Sequence, residues 1–104
     1  MKIIKKLCEQ INEELDDAQK YIECALSKKE EYPQLSKVYN QLSIDEMDHV
    51  NKLHEQVVAF IKDYRAEHGE PPEAMKAVYD ILHSQHLDKA KGVRLLQNMY
   101  KDGM

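Results

Sequence analysis

At 104 residues the chain has room for one domain and a modest core. Hydrophobic residues make up 42% and charged residues 33%, with three glycines and three prolines, which excludes disordered and collagen-like chains; no apolar run reaches the length of a membrane span. The formal charge of -4 is spread over interleaved acids and bases, so no basic face exists to neutralise nucleic-acid phosphates.

The first eight residues, Met1 to Cys8, are partly basic but lack an apolar stretch of signal-peptide length, and a cytoplasmic protein is expected. Two breaks punctuate the chain, at Tyr32-Pro33 and at His68-Gly69-Glu70-Pro71-Pro72. Glycine suits a helix end and proline the first turn of the next. Helices are therefore predicted over about 2–29, 33–67 and 72–101. No segment alternates with a period of two, so no strand is expected.

The first helix repeats Ile4, Ile11, Ala18 and Ala25 every seven residues. Leu7, Glu14 and Tyr21 fall on the intervening core positions, which makes an apolar stripe with one carboxylate in its middle. Cys8 and Cys24 lie 16 residues apart on this helix, roughly 24 Å, which is too far for an internal disulfide. In the second helix the stripe reads Leu35, Tyr39, Leu42, Glu46, His49, Leu53, Val57 and Phe60. It too is interrupted by polar residues. The third helix is less regular, with Met75, Tyr79, Leu82, His86, Ala90, Val93 and Met99-Tyr100; Gly92 marks a close contact or a bend. A cap, an oligomerisation element and a swapped arm are all compatible with it.

Carboxylates at core positions are normally paired or metal-bound, because burying an isolated charge is costly. Glu46-Met47-Asp48-His49 is a Glu-x-x-His pair, with carboxylate and imidazole on one helical face a turn apart. That donor set suits iron or manganese, and zinc is a further option. The pair alone is a weak signal, since so short a pattern recurs by chance. The level of the residues is more telling. With the first turn centred near residue 31, Glu14 lies 17 residues before it, and Glu46 and His49 lie 15 and 18 after it. An antiparallel hairpin over 2–67 then brings all three to one height, within roughly 5 Å. Two Glu and one His are half of a di-iron ligand set. Two hairpins about a two-fold axis supply four Glu and two His, the set of carboxylate-bridged di-iron bundles. A homodimer or a higher even-numbered oligomer is expected, with the metal between subunits.

Glu14-x-x-x-Ala18-x-x-Tyr21 together with Glu46-x-x-His49 resembles the first half of a rubrerythrin- or ferritin-like domain, over about residues 5–60. The shortness of the chain is most similar to the encapsulated-ferritin type. The resemblance implies an all-α fold, with a ferritin-like four-helix bundle formed by homodimerisation of the hairpin and the third helix added to it. It further implies Glu14 as terminal ligand, Glu46 as bridging carboxylate, His49 as terminal imidazole and Tyr39 beside the metals. The implied activity is oxidation of ferrous to ferric iron by dioxygen or peroxide. The polar segment 99–104 lacks the apolar peptide that directs such ferritins into a shell, so encapsulation and storage are not carried over.

Other features have plainer readings. Glu13, Asp16 and Asp17 form a solvated acidic face, with iron entry the sharper alternative. His54, His83 and His86 read as surface or core histidines, with a second metal site as the alternative. Tyr21 is a core tyrosine and the methionines are core fillers. A different function class also fits the pattern: a helical adaptor whose dimer is its function and whose polar core residues set register.

Overall fold

The computed structural model describes residues 2–103. It contains three helices, α1 (Lys2–Lys28), α2 (Pro33–His68) and α3 (Glu73–Lys101), and no strand among the described residues. Each boundary falls within a residue of the position expected from the sequence. Pro33 opens α2, where its missing N–H costs nothing, and Ser36 N–H donates to the Tyr32 carbonyl at 2.9 Å. Gly69 ends α2 with φ 76°, a left-handed conformation that favours glycine, and its N–H donates to the Arg65 carbonyl at 2.9 Å. Pro72, extended at φ -53° and ψ 146°, precedes α3.

α1 is the central rod, carrying Leu7, Ile11, Leu15, Ala18, Ile22 and Ala25 into the core. From α2 come Met47, Val50 and Val57, and from α3 Ala90 and Val93. α1 and α2 pack along their lengths as an antiparallel hairpin; α3 lies chiefly on α1 and meets α2 only lightly. The result is a rod of 56 × 18 × 18 Å. None of the described helices is long and apolar enough to cross a membrane.

The hairpin register is set by small residues. Ser36 and Ser43 are fully buried, and their hydroxyls donate to the carbonyls of Ala25 and Ala18, the second at 2.8 Å. Each serine thus gives its single proton to α1 and keeps a lone pair for α3. Gln97 Nε2 donates to Ser43 Oγ at 2.9 Å, and the Tyr100 hydroxyl lies 3.2 Å from Ser36 Oγ. Lys89 Nζ anchors the same half of α3 to α1 through Asn12 and, at 2.9 Å, Asp16. The third helix is therefore a strut clamped to its own hairpin along residues 89–100.

α3 continues through Gly92, whose expected close contact is absent. A Cβ built there would meet only Gln19 Oε1, at 3.9 Å. Glycine in a helix interior costs about 0.5–1 kcal/mol relative to alanine. Gly92→Ala is expected to stabilise the fold by about that amount, read as a higher denaturant midpoint with unchanged slope.

Candidate metal centre

The register that pairs Ser36 with Ala25 and Ser43 with Ala18 pairs residues whose numbers total 61. Position 14 on α1 then lies level with position 47, between Glu46 and His49 on α2. On α2, Glu46 and His49 lie about 60° and 120° round the helix from Ser43, at 100° per residue. His49 Nδ1 lies 3.4 Å from Glu14 Oε2 and 3.7 Å from Glu46 Oε1. One ligand atom from each of the three lies within 4.8 Å of the others, and this is the only such group of three among the described residues.

The three differ in exposure: 16% for the Glu46 side chain, 29% for Glu14 and 51% for His49. The centre is walled by α1 and α2 and open on the His49 side. Glu46 Oε2 is buried and has no hydrogen-bond partner, alone among the described buried side-chain oxygens and nitrogens. An orphaned carboxylate oxygen is an expensive thing to bury. Two carboxylates and an imidazole are donors that iron, manganese or zinc accepts, and their spread is close to the ~4–4.6 Å spanned by ligands on opposite sides of one ion. The residues fit a divalent metal.

Apolar residues run along the same face of α2 as Glu46 and His49, and two of them, Leu53 and Phe60, pack partly on the core. Leu35 is 42% exposed and Val38 54%, and Leu42, Leu53 and Phe60 are half-buried. These α2 residues flank Glu46 and His49 along the helix. The stripe expected to lie in the core is thus only half covered within one chain: Val57 is wholly buried, while Leu35 stays open. Tyr39, seven residues before Glu46, sits about 10 Å further along the axis. Its ring stacks on Tyr21, with centroids 6.2 Å apart. The stacked pair thus lies about two turns along the hairpin from Glu46.

The acidic residues beside Glu14 are exposed, and Asp16 turns to α3 to pair with Lys89 at 2.9 Å. Cys8 is buried, Cys24 half-buried, and both are free thiols; burial first, then Glu9, pushes the Cys8 thiol above its ordinary range. His54 on α2 stacks on His83 of α3 at 5.3 Å, and Tyr79 also stacks with His83 at 5.7 Å. These histidines build a contact between helices and no group of three ligands.

Comparison with protein-family models, with curated proteins and with solved structures returns no match to this chain. The serine pairs and the orphaned Glu46 oxygen were not singled out from the sequence. Ser36 and Ser43 recur at the same seven-residue spacing as Ala18 and Ala25, and that matched spacing is the signal that could have revealed the close approach.

Two outcomes follow from these environments. Burial, then His83 and Lys89, holds His86 below its ordinary value of about 6.5. Between the unfolded and folded values the unfolded chain binds more protons, so stability is fullest above pH 6.5 or so and is lost as pH falls through the folded value. His86→Gln is expected to flatten that acid limb in thermal melts between about pH 7 and 5. For Glu46, replacing a buried, half-satisfied carboxylate by a hydrocarbon of similar size is expected to stabilise the metal-free protein by about 1 kcal/mol. Urea unfolding of Glu46→Leu in excess chelator measures it.

Proposed function

We propose that this chain is a di-iron carboxylate protein that binds ferrous iron with Glu14, Glu46 and His49 and oxidises it to ferric iron with dioxygen or peroxide. The carrying observation is the convergence of these three side chains within 4.8 Å around a buried, unpartnered carboxylate oxygen of Glu46. An evolved core tolerates such an oxygen when something fills the gap, and a divalent cation fills it best.

One hairpin offers two carboxylates and one imidazole, which leaves a pair of iron ions under-coordinated. A second copy seated on the open face across a two-fold axis doubles the set to four Glu and two His. The half-exposed apolar residues around the centre, Leu35, Val38, Leu42, Leu53 and Phe60, support that seat: they give the partner hydrocarbon to bury, in a ferritin-like four-helix arrangement of two hairpins. α3 does not obstruct it, because Ala90, Val93 and Gln97 hold α3 against the serine side of the hairpin.

Iron bound here supplies the electron that passes to the oxidant. The chain's own contributions are distinct. Glu14 and Glu46 provide negative charge that favours the ferric product, and His49 fixes the open edge of the centre by its contacts to both carboxylates. Tyr39 and Tyr21 stack on each other about two turns along the hairpin from Glu46.

Anaerobic titration with ferrous iron, followed by exposure to air or peroxide, tests the reading. One iron per chain and two per dimer are expected, with a ferric absorbance that appears on oxidation. Glu46→Ala is expected to lose at least tenfold in affinity for iron and to lose the oxidation, while circular dichroism still finds a folded helical protein. Tight uptake of zinc or manganese with no ferrous oxidation would make the centre structural. Iron uptake by the wild type no greater than by Glu46→Ala would end the proposal, and an intact dimer in that case would leave association as the function.

A further inference from the structure

A second feature lies at the end of the rod where α2 and α3 separate around the 69–72 connection. A cleft of about 1180 Å³ opens there, floored by the first two turns of α1. Its walls are Ile4, Val58, Ile61, Met75, Val78 and Leu82. Val58 of α2 and Val78 of α3 both line it, with 49% and 59% of their surface exposed. So much open hydrocarbon in one concavity is what a chain leaves uncovered where a ligand or partner sits.

The rim is cationic. Lys2 and Lys5 from α1, Lys62 and Arg65 from α2 and Lys76 from α3 all line the cleft, against one acidic lining residue, Asp80. Glu70 bridges two of the cations, lying 3.3 Å from Arg65 Nε and 2.9 Å from Lys76 Nζ, and the Lys76 hydrogen bond holds its carboxyl below the usual range. Lys2, Lys5 and Lys62 form no ion pair with any described residue. One edge of the cleft already holds a carboxylate and the other has lysines to hold a second.

The geometry points to this cleft as a binding site for a long-chain carboxylate, its acyl chain along the aliphatic walls and its head group at Lys2, Lys5 and Lys62. Charge complementarity favours an anion, and the walls favour an acyl chain over a peptide. A peptide brings backbone N–H and C=O groups that walls of this composition leave unpaired, whereas an acyl chain brings none. The site is separate from the metal centre along the rod: its α2 lining begins at Val58, 12 residues or about 18 Å along the axis from Glu46.

Displacement of a fluorescent fatty-acid analogue from the full chain by palmitate, below the concentration at which palmitate forms micelles, tests this. One palmitate per chain is expected, with hexadecanol, which shares the chain but has no charge, at least tenfold weaker. The double variant Val58→Asp/Val78→Asp alters two exposed side chains and is expected to bind palmitate at least tenfold more weakly, with unchanged helical circular dichroism. Lys5→Glu/Lys62→Glu, wholly on the surface, is expected to weaken palmitate at least tenfold and leave hexadecanol within twofold. Glu46→Ala is expected to bind palmitate as the wild type does, which separates this site from the iron reading. Failure of palmitate to bind saturably, palmitate binding unmoved by the lysine changes, or a drop in oligomeric state in the double aspartate variant would overturn the inference; the last would make a second copy the occupant.

Discussion

The close approach of α1 and α2 is the constraint on which the rest depends. Ser36 and Ser43 on one helix meet Ala25 and Ala18 on the other, and both serines are fully buried with their protons on α1 carbonyls. Small side chains let the two backbones come near, and two directional hydrogen bonds a heptad apart hold one register. A shift of one residue would break both bonds and leave buried hydroxyls and carbonyls unpaired, at about 1–3 kcal/mol each. That register puts Glu14 level with the gap between Glu46 and His49. Because each serine retains a lone pair, α3 uses the same two residues as docking points through Gln97 and Tyr100. One pair of serines thus positions the Glu14, Glu46 and His49 group and the strut alike.

The two sides of the hairpin consequently differ in character. On the serine side the polar groups find partners and the helices close together. On the far side Glu46 keeps an oxygen buried without a partner, His49 is half open, Leu35 is exposed, and Leu42, Leu53 and Phe60 are only half-buried. An apolar surface around a half-satisfied charge is poor design for a lone chain in water. It becomes sensible when a cation takes the charge and a second copy takes the surface. The Glu46 oxygen is the strongest pointer to function because it is the only buried side-chain nitrogen or oxygen without a partner among the described residues.

Much of this was legible in the sequence. The helix boundaries are local, set by Pro33, Gly69 and Pro72 within a residue or so. The level of Glu14, Glu46 and His49 came from counting about a turn at residue 31, and the serine pairs centre it within one residue of that. What counting does not give is how far the helices rotate about their own axes. The α2 stripe reads as a single face, yet Val57 is fully buried while Leu35 is 42% exposed. Nor does periodicity reveal where α3 docks, since Lys89, Gln97 and Tyr100 are polar residues reaching partners 54 to 77 positions away. Gly92 shows the limit of reading a single residue: it suggested a close contact or a bend, and the nearest atom is at ordinary distance. The cleft between α2 and α3 exists because those helices diverge, a property of the assembled fold that no single segment encodes.

The most direct measurement is anomalous diffraction at the iron edge from crystals of the chain grown or soaked with ferrous iron. The account predicts two iron peaks at an interface between two copies, each within about 2–2.5 Å of oxygens from Glu14 and Glu46 and of a nitrogen from His49. Iron found elsewhere, or these three side chains apart and solvated in loaded crystals, would contradict it.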